Sequence, residues 1–288
     1  MKSTKRHQHR LLLNRIFEWV FFSTIAIAIL VLGALLFDIF SRGISGLDWS
    51  FITSMPSSRP AKAGILPALL GTLWVIVLTA SIALPVGIGT AIYLEEYANK
   101  KAWYFKVLNL NIANLAGVPA IVYGILGLTV FVQLLKIGPT ILAGALTLSL
   151  LILPVIIVAS IEAIRAVPNS IREGSLALGV TRWQTITGAI LPMAMPGILT
   201  GSILALSRAM GEAAPLIMVG AVGFVTFLPD SITDRYTVLP MLIYNWTSRP
   251  QDEFAQLAAT GIIVMLVILM LTNLTAIILR NRSQQRID

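Results

Sequence analysis

Six stretches of this 288-residue chain contain no charged side chain: 19–37, 63–94, 107–135, 137–161, 183–207 and 254–279. About 20 apolar residues in a helix cross the hydrocarbon layer of a bilayer, and each run is long enough to do so. Their apolar character is continuous and does not alternate at every second residue, so it predicts helices and not barrel strands. The fifth run is expected to continue past Arg208 and Glu212 towards Gly220, because apolar residues resume after Ala213. Pro85, Pro119, Pro154 and Pro215 fit kinked or broken membrane helices. The fold class expected is all-α, a polytopic membrane protein of six transmembrane helices.

Composition closes the other routes. Hydrophobic side chains make up 57% and charged ones 12%, against about 45–50% and about 25% in soluble domains. An ordinary soluble protein is excluded, and so is disorder, which needs few apolar residues and many charges. No cysteine is present, which removes disulfide frameworks, thiolate metal sites and cysteine nucleophiles. The net charge of +8 lies beside the apolar runs, so it points to orientation in a membrane and not to nucleic acid.

With six spans, fourteen lysines and arginines fall on one side, in the N-terminal segment (Lys2, Lys5, Arg6, Arg10, Arg15), two loops (Lys100, Lys101, Lys106; Arg165, Arg172, Arg182) and the tail (Arg280, Arg282, Arg286). Six fall on the other: Arg42, Arg59, Lys62, Lys136, Arg235 and Arg249. Both termini are therefore expected in the cytoplasm of a cell whose inner membrane holds the chain. A cleavable signal peptide fits the start less well, because the first run exceeds the usual h-region and no Ala-x-Ala-like site follows. The expected divisions are a basic segment at 1–18, a first span at 19–40, a transmembrane domain at 64–280 with a cytoplasmic loop at 162–188, and a tail at 281–288. The outer loops at 41–62 and 223–253 hold Trp49, Phe51, Phe227, Tyr236, Tyr244 and Trp246. These read as interfacial belts or short re-entrant segments.

The most informative loop runs from Pro168 to Pro192. Ser170 and Glu173 have capping-box spacing and predict a helix starting near Ile171; Thr181 and Gln184 repeat that spacing. Gly179 between them can take the left-handed conformation that ends a helix. Two short helices bent at Gly179 are expected. Ile171, Leu176, Leu178, Val180 and Trp183 would then leave apolar surface outside the membrane, for a partner to dock on or for the loop to lie along lipid.

Glu173-Gly174-Ser175, Gly179 six residues after the glutamate, and Leu191-Pro192 beyond it resemble the EAA loop of ABC importer permeases. That pattern is Glu-Ala-Ala, three residues, Gly, nine residues, then Ile-x-Leu-Pro. Gly174, Ser175 and Ala189 depart from it by small-residue changes. Asn111 to Pro119, Ile121-Val122-Tyr123-Gly124 and Ser207-Arg208-Ala209-Met210-Gly211-Glu212-Ala213-Ala214-Pro215 are similar to the phosphate-importer branch of that family. The likeness extends from about Gly64 to the C-terminus.

The resemblance implies a type I ABC importer permease fold, and a permease subunit forming half of a phosphate pore. It implies a second permease subunit, two cytoplasmic ATPase subunits, an extracytoplasmic phosphate-binding protein, membrane lipid around the bundle, and no cofactor. It also implies a coupling role for Ser170, Glu173, Gly174, Ser175, Leu176 and Gly179, with ATP hydrolysed by the separate subunits.

Arg208 and Glu212 stand four apart inside an apolar run, so on a helix they share a face. An arginine at the bilayer centre costs about 2.5–3.5 kcal/mol on insertion scales. Ionisable groups so placed mark a pathway by default, and a guanidinium suits an anion with paired oxygens. Glu212 would share Arg208 and keep the anion free to leave; an ion pair that only fixes packing is the plainer reading. Glu162 and Arg165 read as a solvated pair at a helix end.

Catalysis finds no foothold. His7 and His9 are the only histidines, and both precede the first run, so no histidine-based triad or intramembrane histidine metal site can form. No Gly-x-x-x-x-Gly-Lys-Ser/Thr sequence is present to hold ATP. The competing functions are a permease for another oxyanion (phosphonate, sulfate, molybdate), an anion transporter working without ATP, and an intramembrane enzyme, which the missing catalytic groups disfavour.

Overall fold

The computed structural model describes the backbone of residues 2–284 and, within it, the side chains of 14–278, 280 and 281. The side chains of Lys2, Lys5, Arg6, Arg10, Arg282 and Arg286, which enter the orientation count, lie outside the described residues. In chain order the helices are α1 (Lys2–Gly43), α2 (Trp49–Thr53), α3 (Leu66–Ile92), α4 (Trp103–Leu115), α5 (Ala120–Gly127), α6 (Ile141–Arg165), α7 (Asn169–Ala177), α8 (Arg182–Thr185), α9 (Leu191–Gly211), α10 (Ala214–Val219), α11 (Leu239–Thr247) and α12 (Asp252–Gln284). Wider π turns extend α3 over Tyr93–Tyr97, extend α5 over Leu128–Leu134 and join α8 to α9 over Ile186–Ile190.

Among the described residues, five helices are long and apolar enough to cross a membrane: α1, α3, α6, the continuous 182–211 helix and α12. The third predicted run is not one straight helix. It splits into α4 and α5, bent by 106°, and makes a sixth span only if the pair counts as one. Pro119 is the cause. It has no amide to continue the helix, and it biases Val118 away from helical backbone. The Tyr123 hydroxyl closes the corner by donating to the Leu115 carbonyl at 2.8 Å.

The centre of the bundle is α6, which packs against α3, α9, α5 and α10. Small residues let the backbones approach. Gly197 faces Ala163, Gly201 faces Ala159 and Gly127 faces Thr147, each too closely for a Cβ. Thr79 and Ser149 add hydrogen bonds between α3 and α6, to the carbonyls of Ala145 and Thr79 at 3.3 and 3.4 Å. At its start α6 is capped by Thr140, which accepts from the Ala143 amide at 3.3 Å. The amides of Ile141 and Leu142, which no helical turn can serve, donate to the carbonyls of Asp234 and Ile232 at 3.1 and 2.9 Å.

Among the described residues, three apolar clusters run along the bundle. One holds Phe51, Ile65, Leu239, Trp246 and Phe254, where α3, α11 and α12 begin; the middle one joins Val75, Tyr123, Ile152, Ala209 and Met210; the third gathers Leu94, Ile161, Ile164, Ile186 and Ile190 at the other end. The aromatic loop residues are therefore not all interfacial. Phe51, Tyr236 and Trp246 are buried, and the Phe51 and Trp246 rings lie 6.0 Å apart, whereas Trp49, Phe227 and Tyr244 remain exposed. A helix as short as α2 or α11 gains its stability from packing of this kind and not from its own turns.

Candidate functional site

Two helix breaks meet at mid-bundle. The packing of Gly197 on Ala163 and Gly201 on Ala159 sets α9 antiparallel to α6, and the same register brings Arg208 level with Ile152, near the middle of Ile141–Arg165. The apolar run does continue towards Gly220, but not as one helix. Glu212 caps α9 in extended backbone at φ −85° and ψ 110°, α10 begins at Ala214, and Gly220 closes it at φ +97°. Gly124 of α5 packs on Pro215 of α10, so the corner at Pro119 and the break at Glu212 lie side by side.

Arg208 and Glu212 contact each other, Nε to Oε1 at 3.5 Å, with side chains 49% and 24% exposed. Sharing a helical face does not bring this about, because Glu212 has already left the helix; its amide still donates to the Ala209 carbonyl at 3.2 Å. Arg208 makes no hydrogen bond among the described residues, so none of the five donors of its guanidinium is taken up there. On the same helix, the Ser207 hydroxyl and Asn273 of α12 hydrogen-bond.

The loop beyond α6 is built differently at its two starts. The Ser170–Glu173 capping box does not form. Pro168 takes the N-cap position at φ −58° and ψ 140°, α7 opens at Asn169, and Ser170 falls inside the first turn. Proline supplies the non-helical entry without a side-chain cap, and with the cap at Pro168 Glu173 falls five residues in, past the N3 position of a capping box; it stays exposed and makes no ion pair among the described residues. The Thr181–Gln184 box does form, with both reciprocal bonds present.

Gly179 stands at φ +78°. The Val180 amide donates to the Ser175 carbonyl at 3.4 Å and the Gly179 amide to Leu176 at 3.0 Å, the paired closure of a Schellman turn. Gly174 is exposed and Ser175 half-buried. Around this bend Leu176, Leu178 and Trp183 are 50%, 84% and 60% exposed, whereas Ile171 packs inward on the cluster that holds Ile164 and Ile186.

Charges crowd where this loop meets the bundle. Arg165 pairs with Glu162 at 3.1 Å, as its spacing predicts, and also with Glu95 at 3.3 Å. Arg172 reaches Glu96 at 2.9 Å. Glu95 and Glu96 were not among the expected site residues. The only signal available for them was two adjacent carboxylates closing an apolar run, in a chain whose loops are rich in arginine.

Residues 83–288 match the family described as the binding-protein-dependent transport system inner membrane component. This chain belongs to that family. It is 36% identical over 263 residues to the probable ABC transporter permease protein YqgI of Bacillus subtilis, covering 85% of this chain and 89% of that protein. It is 34% identical over 284 residues to the phosphate transport system permease protein PstA 1 of Mycobacterium tuberculosis, covering 95% and 90%. Over 264 residues it is 31% identical to PstA of Yersinia pestis, covering 91% and 88%.

Among solved structures it is similar to a bacterial alginate ABC transporter in complex with an alginate-bound periplasmic protein, with a TM-score of 0.66 at 16% identity over 90% of this chain and 92% of that one. The inward-facing MetNI methionine ABC transporter gives 0.60 at 18%, covering 74% and 93%. The fold of the permease is thus that of type I importers, all-helical and multi-pass, in an inner membrane. Permeases of this fold work with ATPase and substrate-binding partners.

Proposed function

We propose that this permease forms half of the translocation pore of an ATP-driven importer of inorganic phosphate, with a second permease subunit as the other half. Two cytoplasmic ATPase subunits would supply the work, and an extracytoplasmic phosphate-binding protein would deliver the anion. ATP hydrolysis belongs to the separate subunits, because this sequence contains no P-loop. The observation that carries the substrate is Arg208, half-exposed at mid-bundle with no hydrogen bond among the described residues. An unpaired phosphate is prohibitively unfavourable in a low-dielectric medium, and a guanidinium with free donors can take two of its oxygens in parallel. Relatives named for phosphate transport support that choice over other oxyanions.

Glu212 tempers the site. At 3.5 Å it offsets part of the Arg208 charge without consuming the donors, and conduction needs binding weak enough for exit. Coupling is assigned to the exposed bend at Gly179: Leu176, Leu178 and Trp183 form the apolar surface, and Ser170, Glu173, Gly174 and Ser175 lie beside it. That assignment places the loop, and with it both termini, in the cytoplasm, in agreement with the fourteen positive residues on that side.

Labelled phosphate uptake by the whole importer in proteoliposomes tests the reading. Arg208→Ala should abolish uptake with assembly intact, Arg208→Lys should retain part of it, and excess sulfate, molybdate or phosphonate should not compete. Normal uptake by a well-assembled Arg208→Ala protein removes Arg208 from the path; competition by another oxyanion reassigns the substrate.

A further inference from the structure

Three consecutive residues of the π turn that ends α3 each meet an arginine from a different element. Glu95 pairs with Arg165 at the end of α6, Glu96 with Arg172 of α7, and the Tyr97 ring lies 5.8 Å from the guanidinium of Arg182 in α8. The two carboxylates are almost wholly covered, at 6% and 10% exposure. The π turn itself is fixed by the Ala98 amide, which donates to the Tyr93 carbonyl at 2.9 Å.

Arg172 is the most heavily bonded of the three. Its Nε donates to Glu96 at 3.0 Å, Nη1 to the Val167 carbonyl at 2.6 Å and to Asn169 at 3.2 Å, and Nη2 to the Ile164 carbonyl at 2.8 Å. The Ile164 and Val167 carbonyls belong to the last turn of α6 and the residues after it, where helical partners run out. The guanidinium is thus held in one orientation from the α6 side and aimed at α3 on the other. A lysine could match the charge but not this fork.

We propose that Arg172 is the positioning residue that transmits movement of the α7–α8 bend to α3, by clamping Glu96 while α6 fixes its guanidinium. α6 and α9 are joined to the loop covalently and follow it in any case. α3 has no such link: Glu96 and Arg172 are 76 positions apart. Separating a covered carboxylate from its guanidinium leaves an uncompensated charge, so α3 moves with α7. Because α3 lies along α6 through the middle cluster, the clamp carries a push on the bend along α3 to that cluster, where Ala209, next to Arg208, also packs. This inference rests on the coupling role proposed above for the bend.

The test uses the whole importer in proteoliposomes, reading phosphate moved per ATP hydrolysed, ATPase co-purification and the thermal midpoint. Arg172→Met and Glu96→Gln should each retain the ATPase and its hydrolysis while phosphate per ATP falls roughly two- to thirtyfold, the span of mutations in coupling networks. The double variant should be no worse than Arg172→Met alone, since both remove one contact. Arg172→Lys should restore part of the ratio. Unchanged phosphate per ATP in Arg172→Met overturns the clamp and leaves docking intact. Loss of the ATPase, or a fall in thermal midpoint that accounts for the lost uptake, makes Arg172 a folding residue and also overturns it. The chain has no native cysteine, so Leu178→Cys gives a clean crosslinking site. If it fails to reach the ATPase in the parent importer, the docking reading fails, and the clamp with it.

Discussion

Gly179 isolates the contribution of a single backbone conformation to docking. It stands at φ +78°, and a Cβ built there would meet nothing within 4 Å. A substitution there strains the backbone, and its Cβ crowds no neighbour in this chain. The left-handed conformation costs a residue with a Cβ roughly 1–2 kcal/mol, and less for Asn, whose short side chain bonds locally. If only the bent loop docks, that cost passes directly into apparent affinity, at tenfold for each 1.4 kcal/mol. Gly179→Ala should weaken ATPase binding by about five- to thirtyfold, and Gly179→Asn by a smaller factor. Gly179→Leu should match or exceed Ala. Titration of ATPase into the detergent-solubilised permease, with Leu178→Cys crosslinking yield as an independent readout, measures the series. Parent-like binding by Gly179→Ala, or equal losses for Asn and Leu, would refute the bend as the docking form.

Three further outcomes follow from the packing. Thr181→Ala removes one half of the reciprocal cap and should lower stability at the start of α8 by about 1 kcal/mol, seen as faster hydrogen exchange over 182–185 with the remaining spans unchanged. Gly201→Val forces a branched side chain into the Ala159 contact and should cost about 1–3 kcal/mol by overpacking, read as a lower thermal midpoint; Gly211→Ala, where a Cβ meets nothing, is the matched control. Trp246→Ala empties the cluster around Phe51 and Phe254 and should cost about 3–5 kcal/mol, whereas Trp49→Ala, at an exposed position, should leave the midpoint unchanged.

Apolar runs without charge were enough to locate the spans, because lipid leaves helical backbone few alternatives. The left-handed Gly179 and the Thr181–Gln184 cap were legible for a similar reason, since both are local chemistry between residues a few positions apart. What escaped was decided elsewhere. Ser170 and Glu173 have the spacing of a cap, but Pro168 reaches the N-cap position first. The corner at Pro119 lies inside a continuous apolar run, and hydropathy is blind to direction; only the proline hinted at it. The apolar run predicts a helix continuing past Glu212, yet Glu212 ends α9; Pro215 marks the run as kinked or broken without fixing where. Phe51, Tyr236 and Trp246 looked interfacial by type and are buried by contacts with helices far along the chain. The contact of Glu96 with Arg172 is of the same kind, as no local rule links a π turn to a loop 76 positions away.

The most direct measurement is phosphate uptake into proteoliposomes holding this permease and its partner permease, with the phosphate-binding protein outside, and with and without the ATPase subunits and ATP inside. Uptake should appear only when both ATPase and ATP are present, and should stop when hydrolysis is blocked. Sustained uptake by the permeases alone would contradict the account, because the bend at Gly179 would then have no motor to answer to.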